Sequence, residues 1–139
     1  MALVFQPPFI QDAKITPSAF AATAANTKQT VCTAGADGTK VTALIATSTD
    51  TSDRVAQVWL TRAAVSYLIA STNVPTLSGT NGSAASVNLL GSTLLPGLPV
   101  DNDGQRYLFL VSGDTLQVSF TTSITAAKEI DVVCISGDF

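Results

Sequence analysis

The stretch Thr115-Leu116-Gln117-Val118-Ser119-Phe120-Thr121 decides the fold class. Leu116, Val118 and Phe120 alternate with Gln117, Ser119 and Thr121. Successive side chains of a strand point to opposite faces, so this run has one apolar face for a core and one polar face for water. Gly113-Asp114 supplies a turn before it, and residues 107–111 form a short apolar strand before the turn.

The same signs recur in both directions. Residues 27–33 read as a strand closed by the turn Gly35-Ala36-Asp37-Gly38, and residues 40–47 are rich in Val, Thr and Ile. The polar loop Ser48-Thr49-Asp50-Thr51-Ser52-Asp53 leads into residues 54–61. There Ala56, Val58 and Leu60 share one face and Val55, Gln57, Trp59 and Thr61 the other. Residues 65–70 make a further strand, 73–86 a long Gly/Ser/Thr/Asn loop, and 129–136 the last strand. A helical turn fits residues 88–95, where Leu90 and Leu94 lie four apart and Pro96-Gly97 stops it. Seven or eight short strands without βαβ alternation predict an all-β fold, an antiparallel β-sandwich of jelly-roll or Ig-like kind over residues 27–139.

Residues 1–26 differ. Phe5, Phe9, Ile10, Ile15 and Phe20 are spaced irregularly among Pro7, Pro8 and Pro17, which defines neither helix nor strand. The expectation is an extended N-terminal arm whose side chains dock one by one, on another subunit or on their own domain.

Composition narrows the function. Only 12% of the 139 residues are charged, against roughly 25% in an ordinary soluble domain. Hydrophobic residues make up 46%, and mean hydropathy is +0.36. Ser, Thr, Ala, Gly and Asn fill the gap, which suits a β subunit that hides surface against neighbours. Seven Lys and Arg are scattered along a chain of net charge −3. Nucleic-acid binding needs a clustered basic footprint, so none is expected. The start Met-Ala-Leu-Val-Phe-Gln-Pro-Pro-Phe lacks a basic n-region, and no apolar run reaches the length of a membrane span. Neither secretion nor a membrane partner is expected, and the protein is expected to be made in the cytoplasm.

The absence of histidine removes Ser-His-Asp triads, Cys-His dyads and histidine metal clusters. Asp37, Asp50, Asp53, Asp101, Asp103, Asp114 and Asp138 fall in turns, where Asp bonds nearby backbone N–H groups. Asp101-Asn102-Asp103-Gly104 departs from an EF-hand loop, with Gly too early and Arg106 supplying a cation. The glycine-rich run 78–83 lacks the Lys and helix of a P-loop. No catalytic, metal-binding or cofactor-binding residue emerges, and an enzyme is not expected. Cys32 and Cys134 sit in apolar, β-branched stretches and read as buried thiols, with a mutual disulfide as the alternative. Trp59 breaks the polar face of its strand. With Tyr67, it is either covered within the chain or an anchor for a second subunit.

Several segments resemble a family of small tailed-phage and prophage virion proteins. They are Asn88-Leu89-Leu90, Leu94-Leu95-Pro96-Gly97-Leu98-Pro99-Val100-Asp101 and Ser112-Gly113-Asp114-Thr115-Leu116. The likeness continues through Ile124-Thr125-Ala126-Ala127-Lys128 to Gly137-Asp138-Phe139, and residues 40–60 are similar to the same group. The resemblance implies a capsid decoration or cement protein, a homotrimer on the outer capsid surface with the major capsid protein as partner. It carries no catalytic residues. A tail, adaptor or baseplate subunit is the alternative. A host-glycan or receptor-binding module is a further one, although residues 71–86 contain neither an aromatic nor an acid. Phe5, Phe9, Ile10, Phe20, Trp59 and Tyr67 are the candidate interface residues.

Overall fold

The structure, a computed structural model, describes residues 10–91 and 95–139. Nine strands form among them: β1 (Asp12–Ala21), β2 (Gln29–Thr33), β3 (Thr39–Ser48), β4 (Arg54–Arg62), β5 (Val65–Val74), β6 (Val87–Asn88), β7 (Leu108–Leu110), β8 (Thr115–Phe120) and β9 (Glu129–Asp138). They make two antiparallel sheets packed as a β-sandwich. One has the order β1-β9-β3-β6, with β7 also on β3, and the other β2-β8-β4-β5.

β8 sits inside the second sheet, between β2 and β4. Its Leu116, Val118 and Phe120 are buried, beside Ala56 and Val58 of β4. Across from them stand Val41, Leu44 and Ala46 of β3, and Ile130, Val132 and Cys134 of β9, all fully buried. β7 and β6 share the far edge of β3, pairing Thr39 to Val41 and Ile45 to Ala46 respectively. Asn88 joins the second of these by accepting hydrogen bonds from the N–H groups of Leu44 and Leu90. Of the expected helical turn, residues 92–94 lie outside the described part. The Leu95 N–H bonds to the Gly91 carbonyl at 3.0 Å, one helical-type closure.

Residues 12–21, expected as part of an arm, instead form β1, paired with β9 from Asp12↔Asp138 to Ala21↔Glu129. The reason lies in an inverted pattern. Lys14, Thr16, Ser18 and Phe20 turn toward the other sheet, while Ile15 and Pro17 are exposed. The alternation is present, but polar side chains occupy most inward positions, so a search for apolar periodicity passes over it. Lys14 is accommodated because its ammonium reaches the Thr33 carbonyl and the Asp138 carboxylate, each at 3.0 Å. Pro17 lacks a donor, and β1 is an edge strand, where that loss is tolerated. Phe20 has no exposure and meets Phe120 edge-to-face, with ring centroids 5.1 Å apart.

One end of the sandwich is tied by Asp50, whose side chain is fully buried. Its carboxylate accepts from Arg54 Nε at 2.8 Å, from Thr125 Oγ1 at 2.8 Å, and from the N–H groups of Thr125 and Ser52. Burial alone would raise this carboxyl. The Arg54 guanidinium and the Thr125 and Ser52 donors outweigh burial and hold the carboxyl well below the usual carboxylate range.

Phe20→Ala is expected to cost about 3–5 kcal/mol, the range for emptying a buried aromatic site, read as a lowered urea midpoint. A loss under about 1 kcal/mol would show that β1 is not anchored through this contact. The Asp50 carboxyl binds its proton less readily folded than unfolded, so its stabilisation is complete above roughly pH 4 and fades as acid titrates the folded group. Denaturation midpoints should stay level from pH 5 to 8 as far as Asp50 is concerned and fall below about pH 4. Asp50→Asn, which leaves Arg54 unpaired, should lower stability by about 3 kcal/mol at neutral pH and flatten the acid limb.

Candidate functional site

The register defines two ends of the molecule. Asp12, Asp138, Thr39 and Leu110 form a row across one sheet. Thr33, Thr115 and Thr61 form a row across the other, continued by Ser66. Lys14, bridging Thr33 and Asp138, shows that both rows belong to the same end. The opposite end carries Asp50, Arg54, Thr125 and the polar loop after β5.

Large apolar side chains left in solvent gather at the first end. Val65, Tyr67 and Leu68 on β5 are 49%, 56% and 50% exposed. Phe109 and Val111 are exposed beside the start of β3, as is Val100 next to the Lys40–Asp101 pair. Ile10 lies against Gly137, where an added Cβ would collide with its side chain. Among the described residues, Ile15 and Val55 are the exposed large apolar side chains that stand clear of this group.

The β5 edge adds a second property. Its ten residues, Val-Ser-Tyr-Leu-Ile-Ala-Ser-Thr-Asn-Val, contain no charge and no proline. Edge strands offer unpaired backbone groups and are ordinarily guarded by Lys, Pro or bulges. β1, an edge of the other sheet, has Lys14 and Pro17. On β5 the guard is a register shift that leaves Ile69 without a direct partner between Leu68 and Ala70.

The hairpin tip between β4 and β5 lies at this end too. Ala63 and Ala64 have φ of 51° and 63°, the left-handed values that a two-residue type I′ turn demands. Asn-Gly or Asp-Gly is the usual choice there, because a left-handed alanine costs roughly 1–2 kcal/mol. The tip is exposed, small and without side-chain polar groups.

The candidate residues separate. Phe5 and Phe9 lie outside the described residues. Phe20 is buried in its own domain and unavailable to another surface. Ile10 is exposed on the outer side of the first sheet, and Tyr67 on β5. Trp59 is half-buried on the outer face of the second sheet, opposite Leu68. Its indole N–H donates to Ser119 Oγ at 2.9 Å, and the Lys28 ammonium stands 4.3 Å from the ring centre. The structure therefore sets Leu68 beside Trp59 on the outer face, turns Tyr67 to the other face of β5 opposite Leu60, and leaves Ile10 on the other sheet. Val65, Leu68, Phe109 and Val111 were not singled out from sequence. The available signal was Val65-Ser66-Tyr67-Leu68-Ile69, a run too apolar for a strand with one wet face.

Polar groups at this end are internally paired. Arg62 grips Asp114 at 2.6 and 2.7 Å, and Lys40 reaches Asp101 at 2.6 Å. These partners hold both carboxyls below their usual range. Asp101 also accepts from the N–H groups of Asp103 and Gln105, so its oxygens serve the turn and Lys40. Arg106 instead bonds the Pro96 and Leu98 carbonyls. Lys40, Asp101, Tyr107, Phe109 and Phe139 line an open cavity of about 240 Å³. A larger hollow of about 500 Å³ at the other end has no apolar side chain bigger than alanine and offers no seat for an aromatic. Among the described residues no group of three His, Cys, Asp or Glu is placed to hold a metal ion, and no helix is long and apolar enough to cross a membrane.

No protein-family model and no curated protein matches the chain. Among solved structures it is similar to two crystal structures of a pentameric capsid protein isolated from metagenomic phage sequences, each at TM-score 0.39 and 18% identity. The matches cover 89% of this chain and 62% and 59% of those chains, so this chain spans about three-fifths of their length.

Replacing Ala63-Ala64 by Asn-Gly relieves the left-handed alanines and is expected to raise the melting temperature by several degrees. An unchanged or lower melting temperature would show that the tip is not held in this conformation.

Proposed function

We propose that the chain is a structural subunit of a tailed-phage particle, a decoration or cement protein bound to the outer capsid surface through its apolar end. The observation that carries this reading is the gathering of exposed apolar side chains at one end, next to an uncharged edge strand. The sequence resemblance to small virion proteins points the same way. Burying the exposed half of a Val, Leu or Tyr side chain contributes on the order of 1 kcal/mol. Val65, Tyr67, Leu68, Phe109 and Val111 together contribute several kcal/mol, enough for binding that is weak singly and firm across a lattice.

A cement protein acts by linkage. It binds the assembled lattice in preference to free capsid subunits and so shifts the equilibrium toward the intact shell. The partners are the major capsid protein and further copies of this chain, for which the resemblance suggests a trimer. Ile10, the first described residue, lies on Gly137 at the same end, and the apolar sequence of residues 1–9 suits a tether that raises the local concentration of the main contact.

The test is reconstitution. Purified chain is added to shells of its cognate major capsid protein, and shell disruption is followed on heating. The expected result is saturable binding, a higher disruption temperature, and at least tenfold weaker binding for Tyr67→Glu with Leu68→Glu, whose isolated fold is unchanged by circular dichroism. Absence of binding to shells overturns the reading. A virion copy number of six or twelve, rather than hundreds, moves the protein to the tail.

A further inference from the structure

Cys32 and Cys134 belong to different sheets and are both free thiols, 1% and 0% exposed. Two features of the fold bring them together. First, β2 is bulged: Thr30 pairs with Gln117 and Cys32 with Leu116, leaving Val31 as the extra residue. Val31 and Cys32 are consequently both buried, although neighbours on a regular strand face opposite ways. Second, the backbones of β2 and β9 approach within 8 Å, whereas stacked sheets usually lie about 10 Å apart. The Cys32 sulfur stands 3.9 Å from Ser136 Oγ, and Ser136 shares the inward face of β9 with Cys134. Cys134 therefore lies two residues from the Cys32 contact on the same inward face of β9.

The surroundings suit thiol chemistry. The neighbouring Cys134 thiol lowers the proton affinity of Cys32 against the opposing effect of burial, with Ser136 and the Lys14 ammonium assisting. Cys134, facing that sulfur and buried, keeps its own proton more firmly. A disulfide asks for Cα atoms about 4.4–6.8 Å apart, and β2 and β9 already approach within 8 Å.

We propose that Cys32 and Cys134 form an oxidisable pair, closing to an intersheet disulfide that staples β2 to β9 when the protein meets an oxidising milieu. The oxidant is a low-molecular-weight disulfide such as glutathione disulfide. One cysteine thiolate attacks it, forming a mixed disulfide and releasing one glutathione thiolate. The second cysteine, deprotonated, attacks the protein-bound sulfur and releases the other. Two protein thiols are oxidised, one glutathione disulfide is reduced to two glutathiones, and the two cysteine protons pass to the leaving thiolates. The bond closes a loop of roughly 100 residues, near the upper end of the stabilisation such links give. The proposal concerns the isolated chain and is independent of the particle on which it acts.

Because both sulfurs are buried, the experiment is refolding from urea in a glutathione redox buffer. The expected product is a chain free of intermolecular disulfides, with no titratable thiol in denaturant and a Cys32–Cys134 linked peptide by mass spectrometry. Its melting temperature should be higher by about 10 °C than that of the same sample with reductant. Cys32→Ser and Cys134→Ala should each abolish the link and the reductant-sensitive shift. Two free thiols per chain, glutathione adducts without a link, or a linked chain that melts no higher would each overturn the proposal. Should a variant fail to fold, the wild-type comparison with and without reductant decides alone.

Discussion

β9 is hydrogen-bonded along both edges, to β1 on one side and β3 on the other, and the sandwich is organised around that strand. Its inward Ile130, Val132 and Cys134 form one wall of the core, and Asp138 near its end gathers Lys14 and Thr39. β1 is the weaker partner by composition, since only Phe20 among its inward residues is a large apolar group. The edge-to-face contact of Phe20 with Phe120 joins the edge of one sheet to the middle of the other. The row at the first end, and with it the placement of the exposed apolar side chains, follows from this closure.

Scarce charge is used inside the architecture. Of seven Lys and Arg, four are in ion pairs: Lys14 with Asp138, Lys40 with Asp101, Arg54 with Asp50 and Arg62 with Asp114. Arg106 serves loop carbonyls, and Lys28 lies over Trp59. Of the carboxylates that sequence assigned to turns, Asp50, Asp101 and Asp114 do cap turns and also hold Arg54, Lys40 and Arg62, whereas Asp138 lies within β9. Spacing along the chain cannot show this, because Arg62 and Asp114 meet only after the sheets form. With its charges engaged in this way, the molecule presents much of its outside as Ser, Thr, Ala and exposed apolar groups.

The sandwich was legible wherever the local pattern matched the global environment. β8, with a dry face and a wet face, was readable from seven residues, and β3, β4 and β9 came within a residue or two of their observed bounds. β1 was not, because Lys14, Thr16 and Ser18 point inward and are satisfied by partners far along the chain. The β4–β5 hairpin hid its turn, since Ala63-Ala64 gives no sign of the left-handed backbone it adopts. For the surface, Tyr67 and Trp59 stood out as aromatics. Val65, Leu68, Phe109 and Val111 did not, because an apolar strand residue is exposed or buried according to which strand lies over it, and strand order is a property of the whole fold.

The pairing of β1 with β9 has a kinetic side. Ala21 meets Glu129 and Asp12 meets Asp138, so every contact in that ladder closes more than a hundred residues of chain. Such topologies pay loop-closure entropy before non-local contacts reward it, and they fold slowly relative to folds built from local contacts. During synthesis β3 emerges long before β9, and until β9 arrives the β3 edge it will occupy has no native partner. The early chain holds few charges with which to repel its neighbours, so self-pairing in that interval is the hazard this fold faces. The rate at which β9 inserts between β1 and β3 sets how long the chain is exposed to that hazard.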